Sequence, residues 1–121
     1  MKKIILIISV LFIAITAHSQ NKNAKTIIEV DGVCGMCKAR IEKAAFSVKG
    51  VKSAVWSEET KHLNLIFDER KTNIKSICQT IADAGHDTKM VEASEKAYQS
   101  IHECCKYRDE EVVNEHKKKG Q

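Results

Sequence analysis

The chain has 121 residues, a formal net charge of +4 at pH 7 and only 5% aromatic residues. This length suits one small domain, and so modest a charge without a basic, aromatic-interleaved stripe argues against a nucleic-acid-binding protein. The five cysteines and the complete lack of proline are the more informative features of the composition.

Residues 1–19 have the pattern of a secretory signal peptide. Lys2 and Lys3 form a basic region, an apolar run of about fourteen residues follows, and small residues at Ala17 and Ser19 occupy the positions that a signal peptidase recognises. The run is shorter than the roughly twenty residues of a membrane-spanning helix. We therefore expect cleavage near Ser19, no membrane span in the mature protein, and a periplasmic or secreted location. An uncleaved N-terminal anchor is the alternative.

The sequence that follows, residues 20–92, alternates strand-like and helix-like patterns. Period-two alternation predicts strands, and apolar residues three and four positions apart predict helices. The predicted strands are 26–30, 51–56, 61–67 and 86–91, and the predicted helices are 38–48 and 73–84. This order is typical of an α+β, ferredoxin-like βαββαβ sandwich, with a four-stranded antiparallel sheet and both helices on one face.

Residues 93–121 follow this domain. Ser94 is a suitable N-cap, and apolar residues at helical spacing from Ala97 to Cys105 predict an extra, amphipathic C-terminal helix. The residues after Tyr107 are mostly charged, which predicts a solvated helix or a disordered tail.

Cys34 and Cys37 form a Cys-x-x-Cys between the first predicted strand and the first predicted helix. This placement brings two sulfurs together at a helix N-terminus, where the helix dipole favours thiolate, and Lys38, Arg40 and Lys43 are expected to favour it further. Soft-metal binding and thiol–disulfide exchange both use such a pair. A structural disulfide between the two cysteines is the plainer interpretation.

The missing proline helps to separate metal binding from redox chemistry. A thioredoxin-like oxidoreductase needs a cis-proline facing its disulfide, and it has parallel strand pairs that the predicted antiparallel hairpin does not provide. No activated nucleophile or acid/base carboxylate pair is recognisable, so we do not expect an enzyme. Among metals, Cu(I) accepts two thiolates and ranks first, Hg(II) or Ag(I) second, and Zn(II), which prefers four ligands, third.

The remaining cysteines and histidines are less clear. Adjacent Cys104 and Cys105 would form a strained disulfide, which leaves metal ligation with His102, a redox couple with the first two cysteines, or simple packing. If the C-terminal helix folds over the loop, four thiols would surround one ion. His86 is expected at the same end of the sheet, as a further ligand, a pH-responsive group or an ordinary loop residue.

Cys78 lies on the apolar face of the second predicted helix, and we expect it in the core. His62 and His116 have no informative neighbours and are expected at the surface.

Residues 25–92 resemble the heavy-metal-associated domain, a family that includes copper chaperones, the metal-binding domains of copper-transporting ATPases and a periplasmic mercury-binding protein. The resemblance rests on Cys34 and Cys37 in the strand-to-helix loop, on residues 49–51 and on residues 84–86. It implies that the two cysteines bind Cu(I), Hg(II) or another soft ion. It also implies transfer to a metal-transporting ATPase or another metal-receiving protein, by a carrier that we expect to be a monomer.

The sequence departs from the family pattern at three points, one of which is the C-terminal helix with its Cys104-Cys105 pair, outside the core domain. The usual methionine before the first cysteine is missing, and Met36 stands between the two cysteines instead. His86 occupies the position where the family commonly has an aromatic residue or a lysine.

Overall fold

The computed structural model describes residues 19–119, so the predicted signal peptide and its cleavage lie almost entirely outside the described residues. Three strands form an antiparallel sheet in the order β1-β3-β2: β1 (Ala24–Glu29), β2 (Val51–Trp56) and β3 (His62–Phe67). Within the described residues, four α-helices and one 3₁₀ turn complete the fold: α1 (Gly35–Ser47), α2 (Ile74–Asp83), α3 (Glu95–Gln99), the turn Glu103–Cys105, and α4 (Glu110–Lys119). Between residues 19 and 119 no helix is both long and apolar enough to cross a membrane.

The sheet has one face that is buried against the helices and one face that is exposed. Leu63, Leu65 and Phe67 alternate along one face and are buried in the core, where α1 and α2 cover them. On the opposite face, Ile27 and Val55 remain 60% and 52% exposed. The predicted arrangement of both helices on one face of an antiparallel sheet is therefore confirmed.

The predicted fourth strand does not form, and the four-stranded sheet was wrong. Residues 86–91 contribute only an isolated antiparallel bridge between Thr88 and Val30. The reason is local, because Thr88 N–H donates to the Val91 carbonyl at 2.9 Å and Val91 N–H donates to the Thr88 hydroxyl at 3.0 Å. These bonds close a turn, which prevents the segment from extending along β1.

The structure is consistent with an extra C-terminal helix, but this helix is shorter than predicted. It ends at Gln99, and a 3₁₀ turn carries the second pair of cysteines. The Ser100 hydroxyl donates to the Ala97 carbonyl at 2.6 Å, and the Lys106 ammonium donates to the Tyr98 carbonyl at 2.9 Å, so side chains satisfy the last carbonyls of α3. The charged end forms a separate helix, α4.

The C-terminal segment, defined here as residues 93–119, packs on the domain. Tyr98, Ile101 and Cys105 are buried in the core. The Arg108 guanidinium donates to both carboxylate oxygens of Asp87 at 2.8 and 3.1 Å, a bidentate pair that ties the segment to the loop after α2. The structure therefore places residues 93–119 over the end of the sheet that carries the cysteine loop.

Candidate metal centre

Tight packing beneath the loop between β1 and α1 fixes the first two cysteines. The Trp56 indole N–H donates to the Val30 carbonyl at 3.0 Å, and a Cβ at Gly32 would lie 3.0 Å from both the Trp56 ring and the Cys37 Cβ. Only glycine fits this close approach without displacing its neighbours. Cys34 then caps α1 in an extended conformation, and its carbonyl accepts the first helical hydrogen bond from Lys38 at 3.0 Å.

Four thiols converge at this helix N-terminus. The Cys34 sulfur lies 3.5 Å from that of Cys37, 3.3 Å from that of Cys105 and 3.9 Å from that of Cys104. The sulfurs of Cys104 and Cys105 are 3.9 Å apart. Cys34, Cys104 and Cys105 form a group whose sulfurs all lie within 4.8 Å of one another, a spacing that one metal ion can span.

A thioether joins the thiols at the surface. The Cys104 thiol donates to the Met36 sulfur at 3.3 Å, and Met36 is 53% exposed. Sequence reasoning missed this pair, because the two residues are 68 positions apart. The one available signal was the unusual methionine between the two cysteines of the motif.

The thiols differ in how easily they ionise. Burial opposes ionisation of Cys34, but hydrogen bonds from the Cys37 backbone and from the Cys105 and Cys37 thiols together lower its pKa. Burial raises the pKa of Cys37 and of Cys105, and it raises that of Cys104 together with the neighbouring Cys34. In the metal-free protein Cys34 is therefore the thiol that ionises most easily, and ionisation of the other three is less favourable.

The basic residues of α1 do not cause this difference, contrary to expectation. The Lys38 ammonium bonds to Glu42 at 2.7 Å and to the Trp56 carbonyl at 2.9 Å. The Arg40 guanidinium donates to the Ala84 carbonyl at 2.7 Å. Both side chains bridge structural elements, and the lowered pKa of Cys34 comes from hydrogen bonds at the helix N-terminus.

His86 is fully buried but lies outside the group of thiols. Its Nδ1 lies 2.9 Å from the Asp31 carbonyl, to which it donates, and its Nε2 is buried without a hydrogen-bond partner. Its ring stacks on Tyr107 with the centroids 5.4 Å apart. In the described geometry His86 packs between the loop and the C-terminal segment.

The other predicted residues divide between core and surface. Cys78 is buried in α2 and His62 is exposed, both as expected. His102 Nδ1 accepts from the Cys104 backbone N–H at 3.2 Å, so that nitrogen is occupied in the metal-free protein. His116 is half-buried, contrary to expectation, and its Nε2 lies 2.9 Å from the Cys104 carbonyl, so α4 contacts the turn that carries the cysteines.

The donor set contains sulfur alone, which decides its chemistry. Thiolate and thioether ligands select Cu(I) and other soft ions, whereas Ca²⁺ and Mg²⁺ require oxygen ligands. The centre can therefore hold a soft metal ion.

Comparisons with known proteins agree with this chemistry over the domain. The model of the heavy-metal-associated domain matches residues 27–87. The copper chaperone CopZ of Staphylococcus aureus (strain bovine RF122 / ET3-1) is 31% identical over 65 residues, which make up 53% of this chain and 96% of that protein.

Solved structures of copper chaperones and of copper-binding domains are also similar to this chain. A CopZ metallochaperone is 30% identical with a TM-score of 0.52, over 54% of this chain and 98% of that one. A copper binding domain from HMA7, a P-type ATPase, is 26% identical with a TM-score of 0.52, over 55% of this chain and 92% of that one. The water soluble region of the P-type ATPase CopA from Bacillus subtilis is 30% identical with a TM-score of 0.51, over 55% of this chain and 44% of that one. The family match ends before the C-terminal segment.

Proposed function

The chain belongs to the heavy-metal-associated domain family, and we propose that it is an exported carrier or scavenger of Cu(I) and not an enzyme. The observation that carries the proposal is the convergence of four thiols, Cys34, Cys37, Cys104 and Cys105, at one helix N-terminus. Cys34 and Cys37 are the main ligands. Cys104 and Cys105 complete the centre from the C-terminal segment.

Cu(I) suits this centre better than Zn(II). A structural zinc site is a closed tetrahedron of four ligands, but Cys37 does not belong to the compact group formed by the other three thiols. Cu(I) tolerates lower coordination numbers and binds thioethers as well as thiolates, so it accepts the described arrangement. Hg(II) and Ag(I) share this softness and remain the alternative cargo, in a mercury-binding or detoxification role.

A receiving protein with exposed thiols is the expected partner. Similar domains occur in P-type ATPases, which supports transfer to a metal-transporting ATPase or another metal-binding protein. The signal-like pattern of residues 1–19 supports a periplasmic or secreted location. Since Cys104 and Cys105 already occupy the space next to Cys34, a partner must displace them to share the ion.

Cu(I) binding by matched variants tests the proposal. Anaerobic titration of the reduced protein with Cu(I), in competition with a chromogenic chelator, should give tight binding. Cys34→Ser, Cys37→Ser should abolish that binding. The control is Ser57→Ala, Ser53→Ala, which changes the β2 region and leaves all thiols in place. Undiminished binding in the cysteine variant would contradict the proposal.

Thiol–disulfide exchange is the second candidate. It is favoured by the thiolate character of Cys34 and by the 3.3 Å between its sulfur and that of Cys105. A redox protein would reduce the disulfides of insulin catalytically when supplied with dithiothreitol and no metal. A carrier would not exceed the rate of dithiothreitol alone.

A further inference from the structure

The centre contains more sulfur donors than one ion uses. Besides the four thiols, the thioether of Met36 lies 3.3 Å from the Cys104 sulfur. Resting on the proposed function, we propose that the protein binds two Cu(I) ions in one chain, bridged by the thiolate of Cys34.

The position of Cys34 makes it the bridging ligand. Its sulfur lies 3.3 to 3.9 Å from the sulfurs of all three other cysteines, which is the central place in the cluster. Two three-coordinate ions need six ligand positions, and the centre offers five sulfurs. One sulfur must therefore serve both ions, and a thiolate has the lone pairs to do so.

The cluster divides into an inner and an outer half around Cys34. Cys37 and Cys105 are buried, and the Cys37 thiol lies 4.0 Å from the Cys105 carbonyl, so these residues form the inner half. Cys104 is half-buried and Met36 is exposed, so these two form the outer half. The inner ion is accordingly shielded from solvent, and the outer ion is accessible to a receiving protein.

Native mass spectrometry of the reduced, full-length protein tests the proposal. With excess Cu(I), supplied anaerobically in acetonitrile, the monomer should carry two ions. Met36→Leu, Cys104→Ser should carry one ion, because this variant loses the outer half and keeps the inner thiols. The control Met90→Leu removes a methionine that is 59% exposed elsewhere on the surface and should still carry two ions.

The outcomes separate this inference from the proposed function. A wild-type monomer that saturates at one ion overturns the two-ion centre and leaves the carrier function standing, whereas a protein that binds no Cu(I) overturns both. Two ions that appear only in a dimer, or that persist in Met36→Leu, Cys104→Ser, overturn the assignment. X-ray absorption of the doubly loaded protein should show a Cu–Cu scattering path, and its absence overturns the bridge.

Discussion

Cys34 combines two roles that are usually separate. It begins α1 as the N-cap residue, and its sulfur is the centre of the thiol cluster. Its side chain makes no capping hydrogen bond of the usual kind. The N-terminal N–H groups of the helix stabilise a thiolate in place of a capping hydroxyl or carboxylate.

We predict that Cys34 is the fastest-reacting thiol of the metal-free protein. Its pKa is lowered, whereas burial raises that of Cys37 and contributes to raising that of Cys104. The thiolate is the nucleophile, so near pH 7.5 limited iodoacetamide should modify Cys34 before the more exposed Cys104. Tandem mass spectrometry would locate the label. Modification of Cys104 first at every pH would contradict the prediction.

We also predict that His86 makes stability depend on pH. Burial lowers the pKa of His86 below its ordinary value of 6.5, so the unfolded chain binds this proton more readily than the folded protein. The contribution of His86 to stability is complete above about pH 6.5 and decreases as the pH falls below that value. Urea midpoints of the reduced, metal-free protein at pH 7.5 and 5.5 would measure the loss.

The variant His86→Phe isolates this effect. Phenylalanine preserves the stacking on Tyr107 but has no titrating group, so the difference between the two midpoints should shrink. The hydrogen bond to the Asp31 carbonyl would also be lost, at a cost of about 1 kcal/mol at the higher pH. An unchanged pH dependence in the variant would assign the effect to other groups.

At the residue scale, the spacing of the motif predicted that Cys34 and Cys37 lie together. The approach of Cys104 and Cys105 was predicted only on the condition that the C-terminal helix folds over the loop. Cys34 and Cys37 are close in sequence, and the helix that follows them fixes their proximity. The contact between Met36 and Cys104 depends on how the C-terminal segment returns to the domain, which no local pattern reports.

At the scale of elements, the spacing of apolar residues was sufficient to predict the helices and strands that pack on the core. The two helices and three strands of the domain were predicted because their buried faces repeat at helical or strand spacing. The fourth strand failed because Thr88 and Val91 bond to each other. The extra C-terminal helix is present, but it is shorter than predicted because side chains satisfy its last carbonyls and end it at Gln99. Its apolar residues Tyr98 and Ile101 are buried, an outcome that the sequence left open.

Gly85, just after α2, is closely packed against the C-terminal segment. It has φ of 105°, and a Cβ there would lie 2.8 Å from the Ala97 carbonyl oxygen and would collide with Ile101. We predict that Gly85→Ala destabilises the protein by at least about 1 kcal/mol, from the strained backbone alone. Chemical denaturation would measure the change.

Gly35→Ala is the matched control for this substitution. Gly35 is in the first turn of α1, and a Cβ there would meet nothing within 4 Å. Alanine should be neutral or slightly stabilising at this position. If the two variants had equal stability, the close approach at Gly85 would not constrain the segment.

On the scale of the whole molecule, the C-terminal segment brings two more thiols, Cys104 and Cys105, next to the cysteine loop. Arg108 bonds to Asp87 and holds the segment to the domain, and His116 of α4 contacts the Cys104 carbonyl within the segment. In the proposed carrier, a bound ion would be enclosed until the segment moves. Retention and transfer would then compete within one protein, and the balance between them would depend on Cys104 and Cys105.

We predict that Cys104→Ser, Cys105→Ser converts a slow donor of Cu(I) into a fast one. With only Cys34 and Cys37 as thiol ligands, the ion should pass to bicinchoninate more quickly, as followed by stopped-flow absorbance. Serine keeps residue 105 close to its native size, whereas truncation after Glu92 would remove the buried Tyr98 and Ile101 and unsettle the core. The control Glu103→Gln changes an exposed residue of the same turn and should transfer at the wild-type rate. Equal rates for the cysteine variant and the wild type would mean that the C-terminal thiols do not hold the ion, and the segment would then act only in packing or in docking a partner.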